Sequence, residues 1–312
     1  MEAVRSVAIA TTTLPPRRLY VLPYLLILPT VFMILSFTVW PTISAVIQST
    51  FRVEGLQKTA QFVGLANYTD LVDPNVDIGQ VFPQVFVNTV VFVIITVPVS
   101  MALAFLLALM LNRKMKTIAL FRFAFFYPVL MPMIGAASLF AFLYADQIGL
   151  VNVVLASLHL STPKWIGGGI ALVSVMIVVI WKQVGFYMII YLAGLQNLPE
   201  DVYEAAQLDG ANWWVEIRRI TWPLLSSTTL FILTSAVAMA FQTVDQLYAL
   251  GQGGPGDRSN LLLYLIYQRY TDVHNTGYVN AITVILLAIL LAFTIVNFLL
   301  SEGRVYYASD SE

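Results

Sequence analysis

A chain of 312 residues that is 59% hydrophobic and only 11% charged, with a mean hydropathy of +0.81, is too apolar for a soluble globule, so a bilayer is its solvent. The formal net charge of −1, with no Lys/Arg run longer than two residues, offers no surface for nucleic acid. The absence of cysteine excludes disulfides, thiolate metal sites and a cysteine nucleophile.

Residues 1–20 read as a short polar arm carrying Arg5, Arg17 and Arg18, with Pro15-Pro16 blocking a helix just before the first apolar run. That run is longer than the ~7–15 residues of a signal-peptide core and lacks a small-x-small cleavage site, so a retained anchor is expected. Six apolar stretches follow, at about 21–47, 85–111, 119–145, 170–195, 224–250 and 277–300, each long enough to cross a hydrocarbon core. The expected fold is all-α, with six transmembrane helices in one domain over 21–302 and a tail at 303–312. Pro23, Pro29, Pro41, Pro98, Pro128 and Pro132 predict kinks. No repeat or inserted soluble domain is visible.

Lys and Arg set the orientation. Ten lie on the side of the arm, of Arg113, Lys114, Lys116 and Arg122, of Arg218 and Arg219, and of Arg304; five, Arg52, Lys58, Lys164, Arg258 and Arg269, lie on the other. Both termini are therefore expected in the cytoplasm.

Polar residues inside the spans are the candidates for a transport path. Lys182 lies ~18 Å along the fourth stretch at ~1.5 Å per residue, near the midplane, where an ionisable group is a functional candidate. Gln183, Phe186 and Tyr187 follow within about a turn and offer hydrogen-bonding groups and aromatic faces suited to sugars. In the fifth stretch, Gln242, Thr243, Asp245 and Gln246 form a second cluster nearer the outer mouth, with Gln242 and Asp245 on one face of an unbroken helix. Structural alternatives stand beside these readings: Lys182 pairing with a carboxylate or carbonyl between helices, Asp245 wetted at the interface, Asn88 and Thr89 bonding helix to helix. His159 and His274 have no Cys or His at ligand spacing, so no metal is expected. Gly167-Gly168-Gly169 and Gly251-x-Gly253-Gly254 lack the Lys and Ser/Thr of a phosphate-binding loop, so this chain should not bind ATP.

Between the fourth and fifth stretches, at about 199–223, the chain turns polar. Pro199 suits a first helical turn, and Glu200 and Asp201 place negative charge at the positive end of the helix dipole. Gly210 allows a bend, with Asp209 or Asn212 available to cap the helix that follows. In that helix Trp213, Ile217 and Ile220 make one apolar stripe, with Glu216, Arg218 and Arg219 pointing elsewhere.

Glu204-Ala205-Ala206, then three residues and Gly210, then nine residues and Ile220, closing on Trp222-Pro223, resembles the cytoplasmic EAA loop of permease subunits in bacterial binding-protein-dependent ABC importers. The family pattern has Leu where Trp222 stands. Phe62-Val63-Gly64-Leu65-Ala66-Asn67-Tyr68 and Gly253-Gly254-Pro255 resemble segments of the first permease of carbohydrate-uptake importers. The resemblance implies a type I importer permease fold in the bacterial inner membrane, and partnership with a second permease, two ABC ATPase subunits that bind ATP and Mg, and an extracytoplasmic binding protein. It also implies ATPase coupling through Glu204, Ala205, Ala206, Asp209 and Gly210. The cargo expected is a di- or oligosaccharide. The alternative is sn-glycerol-3-phosphate, which Lys182 would attract and Asp245 repel. An ion-driven transporter using Lys182 and Asp245 as a relay is the reading from another class, and the EAA segment argues against it.

Overall fold

Backbone groups in hydrocarbon must bond within their own segment, and the apolar stretches accordingly become helices. The computed structural model describes residues 22–53, 59–113, 116–271 and 276–301; the arm at 1–20, Lys58, Lys114, His274 and the tail at 303–312 lie outside the described residues. Four helices are long and apolar enough to cross a membrane, and two bent pairs bring the number to six when each pair is taken as one span.

The first span, α1 (Pro23–Gln48), buries none of its most apolar window against the rest of the chain. It contains a π turn at Leu35–Val39 beside Pro41, whose missing N–H disturbs the ladder there. A hairpin follows, β1 (Phe51–Val53) antiparallel to β2 (Ala60–Phe62), then α2 (Ala66–Asp70). The Phe62–Tyr68 segment is a clasp. Fully buried Asn67 donates through Nδ2 to the carbonyls of Ser49 (2.7 Å) and Phe51 (2.9 Å), and Tyr68 Oη donates to Ser49 Oγ (2.7 Å). Arg52 pairs with Asp70, which also accepts from Tyr278 Oη at 2.8 Å and so ties the clasp to the last span.

The second span, α3 (Asp77–Leu111), has 35 residues and starts eight before its apolar stretch, because the polar turns Asp77–Gln84 continue the helix outside the bilayer. At about 1.5 Å per residue it is roughly 50 Å long, well beyond a ~30 Å hydrocarbon core. Its partner is α7 (Ala171–Gln196), the fourth span; Val85, Phe92, Ala104 and Ala108 of the one and Val175, Val178, Met188 and Tyr191 of the other belong to one buried core. Small residues let such helices approach closely where lipid supplies no hydrophobic drive.

The third stretch bends where its prolines predict a kink, but so sharply that it forms two helices. It is α4 (Ile118–Leu130) and α5 (Met133–Leu143), bent by 100°. Pro132 is the cause: it lacks an N–H and forces Met131 out of the helical region, to ψ 140. After a short helix α6 (Leu150–Ser157) comes the fourth span, α7, followed by α8 (Glu200–Leu208) and α9 (Trp213–Leu224). The fifth stretch departs from expectation. Its helix α10 (Ser226–Phe241) is bent 69° from α9 and stops nine residues short of the expected end. Val244 leaves the helical region (φ −136), and α11 (Asp245–Ala249) restarts in a new direction, packed on α5 with Gln246 and Leu247 buried. A further short helix, α12 (Leu262–Thr271), precedes the last span, α13 (Thr276–Ser301).

Candidate functional site

Three spans meet around a small void of mixed polar and apolar lining. Thr96 and Ser100 of α3, Gln183 and Tyr187 of α7, Met239 of α10 and Thr243 beyond it line a void of about 20 Å³. That volume admits about one water molecule. Tyr187 is 2% exposed and its hydroxyl lies 3.9 Å from Met239 Sδ; Phe186 packs beside its ring at 5.7 Å. Thr96 and Ser100 escaped the sequence reading. The signal was available: Thr89, Thr96 and Ser100 recur at helical spacing along one face of α3.

Lys182 does not line this cavity. Its Nζ donates to the carbonyl of Val129 at 3.2 Å, one of the acceptors left without an intrahelical partner where α4 ends. Glycine one turn on makes that approach possible, since a Cβ at Gly185 would stand 2.1 Å from the Phe125 carbonyl oxygen. The second cluster also divides. Gln242 and Asp245 are exposed and, because the helix breaks at Thr243–Val244, they do not share a helical face. Gln246 is fully buried, its Oε1 accepts from Thr243 Oγ1 at 3.1 Å, and its Nε2 has no partner.

The polar segment forms an elbow. Pro199 stands at the N-cap of α8, with Glu200 and Asp201 in its first turn. Gly210 takes φ +76, the left-handed region, and has open space where a Cβ would sit. Asn212 is the cap that the chain uses: its Oδ1 accepts from Val215 N–H at 3.0 Å. On α8, Glu204, Ala205 and Asp209 are exposed, Ala206 is half-buried and Leu208 is 90% exposed, so one whole face has no cover. Tyr203 turns inward to Thr221, hydroxyl to hydroxyl at 3.0 Å. Burial pushes the Tyr203 phenol up from its ordinary value, partly offset by the Thr221 hydrogen bond and reinforced by the negative charge of Glu216.

The apolar stripe of α9 is buried only in part. A π turn at Ile217–Thr221 rotates the helix, so that Ile217 and Ile220 are half-buried while Trp213 is 61% exposed. Trp222 instead anchors the elbow. Its ring stands edge-on to Phe105 of α3 at 5.3 Å, and Phe105 stands edge-on to Tyr191 of α7 at 5.4 Å. This aromatic row runs from the elbow to the two spans that wall the small cavity.

A bundle of membrane helices carrying an exposed two-helix elbow between its fourth and fifth spans, whose family and relatives are transport permeases, is a transport subunit. The chain belongs to the family described as binding-protein-dependent transport system inner membrane component, which it matches over residues 81–304. It is 32% identical over 283 residues to the arabinooligosaccharides transport system permease protein AraP of Bacillus subtilis (strain 168), covering 89% of this chain and 88% of that protein. It is 31% identical to the sn-glycerol-3-phosphate transport system permease protein UgpA of Agrobacterium fabrum, covering 92% and 97%. In fold it is similar to a chain of a bacterial alginate ABC transporter solved with an alginate pentasaccharide-bound periplasmic protein, at a TM-score of 0.77 and 21% identity, covering 91% and 95%. The fold is that of a type I ABC importer permease, and the protein is a multi-pass membrane component of a binding-protein-dependent system.

Proposed function

We propose that this chain is one of two membrane-spanning subunits of an importer, driven by two ATPase subunits that bind the ATP and Mg, and that its cargo is a di- or oligosaccharide handed over by an extracytoplasmic binding protein. It forms one membrane domain over about 21–302 with both termini in the cytoplasm, in keeping with the Lys/Arg imbalance. The observation that carries the reading is the elbow. Glu204, Ala205 and Asp209 lie on an uncovered helical face suited to a cleft on an ATPase, and the hinge at Gly210 joins that helix to one braced on α3 and α7 through Trp222, Phe105 and Tyr191. ATPase closure then moves the walls of the small cavity as a lever.

The relatives' names divide between oligosaccharide and sn-glycerol-3-phosphate. The cavity favours the saccharide. Its polar groups, from Thr96, Ser100, Gln183, Tyr187 and Thr243, are uncharged donors and acceptors that match hydroxyl groups, and the Lys182 ammonium is turned to the Val129 carbonyl. The test is uptake of labelled disaccharides, monosaccharides and glycerol-3-phosphate by cells lacking the gene, with and without its restoration. Restoration of saccharide uptake alone is expected; restoration of glycerol-3-phosphate uptake alone would overturn the substrate assignment and leave the coupling argument standing.

A further inference from the structure

A second, larger cavity lies on the outer side of the molecule, separate from the one between the spans. It measures about 460 Å³, within the ~300–1,000 Å³ of small-molecule sites. Tyr248 of α11 and Tyr264 and Tyr267 of α12 supply its aromatic wall, and Gln252, Asp257 and Gln268 its polar wall. Tyr248 stands edge-on to Tyr264 (5.3 Å, 88°) and to Tyr267 (5.4 Å, 73°), while the latter two rings are nearly parallel (6.2 Å, 20°).

The polar wall is fixed from behind by buried side chains. Asn260, fully buried, donates through Nδ2 to Asp257 Oδ1 (2.7 Å) and Gln268 Oε1 (2.8 Å). Asn88 of α3 donates to the Asp257 carbonyl (2.7 Å) and the Asn260 carbonyl (3.2 Å), and Thr89 Oγ1 accepts from Leu262 N–H at 2.9 Å. Asn88 and Thr89 do bond element to element, and what they hold is this loop. Gln252 and Asp257 both lie at left-handed φ, +54 and +56, without being glycine. Such backbone is unfavourable for residues other than glycine and persists where the surroundings over-determine it. The loop is therefore held rigid in a shape its own residues disfavour, which is how a preorganised site is built.

We propose that this cavity is a receiving site at the outer mouth for one ring of a neutral saccharide, distinct from the cavity at Gln183, Tyr187 and Thr243. The tyrosine faces carry negative potential and attract the C–H face of a sugar ring, while the amides, the Asp257 carboxylate and the phenol hydroxyls meet its hydroxyl groups. Charge argues for a neutral cargo. Arg269, the cation in the lining, is paired with Asp77 at 2.8 Å, and Asp257 repels phosphate. The two cavities are joined by one short segment: Thr243 lines the inner and Tyr248 the outer, five residues apart, on the order of 10 Å allowing ~1.5 Å per helical residue and more across the break. A saccharide leaving its binding protein thus meets the tyrosine site before it reaches the spans.

The inference rests on the saccharide reading, and the experiment separates the two. The assembled transporter and its binding protein are placed in proteoliposomes, with labelled maltotriose, arabinotriose, a pooled oligosaccharide digest and glycerol-3-phosphate as probes. Tyr267→Ala and Gln252→Ala are expected to lower saccharide uptake about tenfold, while Tyr267→Phe, which keeps the ring face, retains at least half. The concentration of ligand-free binding protein that half-saturates ATP hydrolysis should stay within twofold. Undiminished saccharide uptake in both alanine variants would overturn the proposal. So would a matching shift in that half-saturating concentration, which would assign the cavity to a protein contact. Transport of glycerol-3-phosphate alone, seen already with the unaltered chain, would instead sink the substrate reading.

Discussion

The outer end and the elbow are built to opposite specifications. At the outer end, side-chain bonds reach across long stretches of sequence: the buried amides of Asn67 to the end of α1 and to β1 and of Asn88 to the loop at Asp257 and Asn260, and the Tyr278 hydroxyl to the half-buried Asp70 carboxylate. Each is a directed bond made largely away from water, so each fixes one arrangement and penalises its loss. The elbow has an uncovered α8, a glycine hinge, and two inward anchors, Tyr203 on Thr221 and Trp222 on Phe105. Under the proposed function the difference teaches where motion is to be expected: the mouth serves as the fixed frame, and the elbow as the part that swings as a body while staying attached to the spans.

The comparison breaks most visibly at Asn67. Asn67→Leu leaves the Ser49 and Phe51 carbonyls without their donor in a buried place, and should cost about 2–3 kcal/mol, read as a large fall in the thermal midpoint of the purified assembly. Gly210→Val attacks the other region. The site has room for the side chain but not the conformation, a penalty of about 1–2 kcal/mol, so membrane levels should hold while uptake and substrate-stimulated ATP hydrolysis fall about tenfold or more. Normal transport by that variant would remove the hinge from the account.

Lys182→Met sharpens the path assignment. Losing the bond to Val129 should lower stability by about 1 kcal/mol and leave the transport KM within twofold; a tenfold rise in KM would return Lys182 to the cargo. The smallest effect is expected at Tyr203. Tyr203→Phe should cost about 1 kcal/mol or less, and the raised phenol pKa fixes the sign of the pH dependence. A group held protonated in the fold contributes fully below its unfolded value of 10.0 and loses that contribution as pH rises through the higher folded value. Elbow stability should therefore be flat with respect to this group from pH 6 to about 9, as measured by thermal unfolding of wild type against Tyr203→Phe.

Much of this was legible in the residues. The Pro199 start, the Gly210 bend and the Asn212 cap are local signals, and each appears where local chemistry puts it, while four of the six apolar stretches become single spanning helices. Tertiary causes were not legible. The segment Phe241-Gln242-Thr243-Val244 holds no Gly or Pro, and its helix ends because α11 must bury Gln246 and Leu247 against α5. Pro128 and Pro132 announced a kink, yet nothing local sets its size at 100°. The extra turns of α3 were hidden by Asp77, Gln80 and Gln84, which lower hydropathy, and by Gly79 and Pro83, which read locally as helix breakers. Lys182 was legible as unusual; that its partner would be the Val129 carbonyl depended on where α4 ends.

The central claim is that a fixed outer frame and a swinging elbow share one chain, and amide hydrogen exchange on the assembled transporter, with and without bound nucleotide, tests it most directly. The account predicts slow, nucleotide-independent exchange at Ser259–Leu262, whose amides are bonded within the frame, and nucleotide-dependent protection confined to Glu200–Gly210 and its hinge. Nucleotide-dependent exchange at Ser259–Leu262 with an unresponsive Glu200–Gly210 would contradict it.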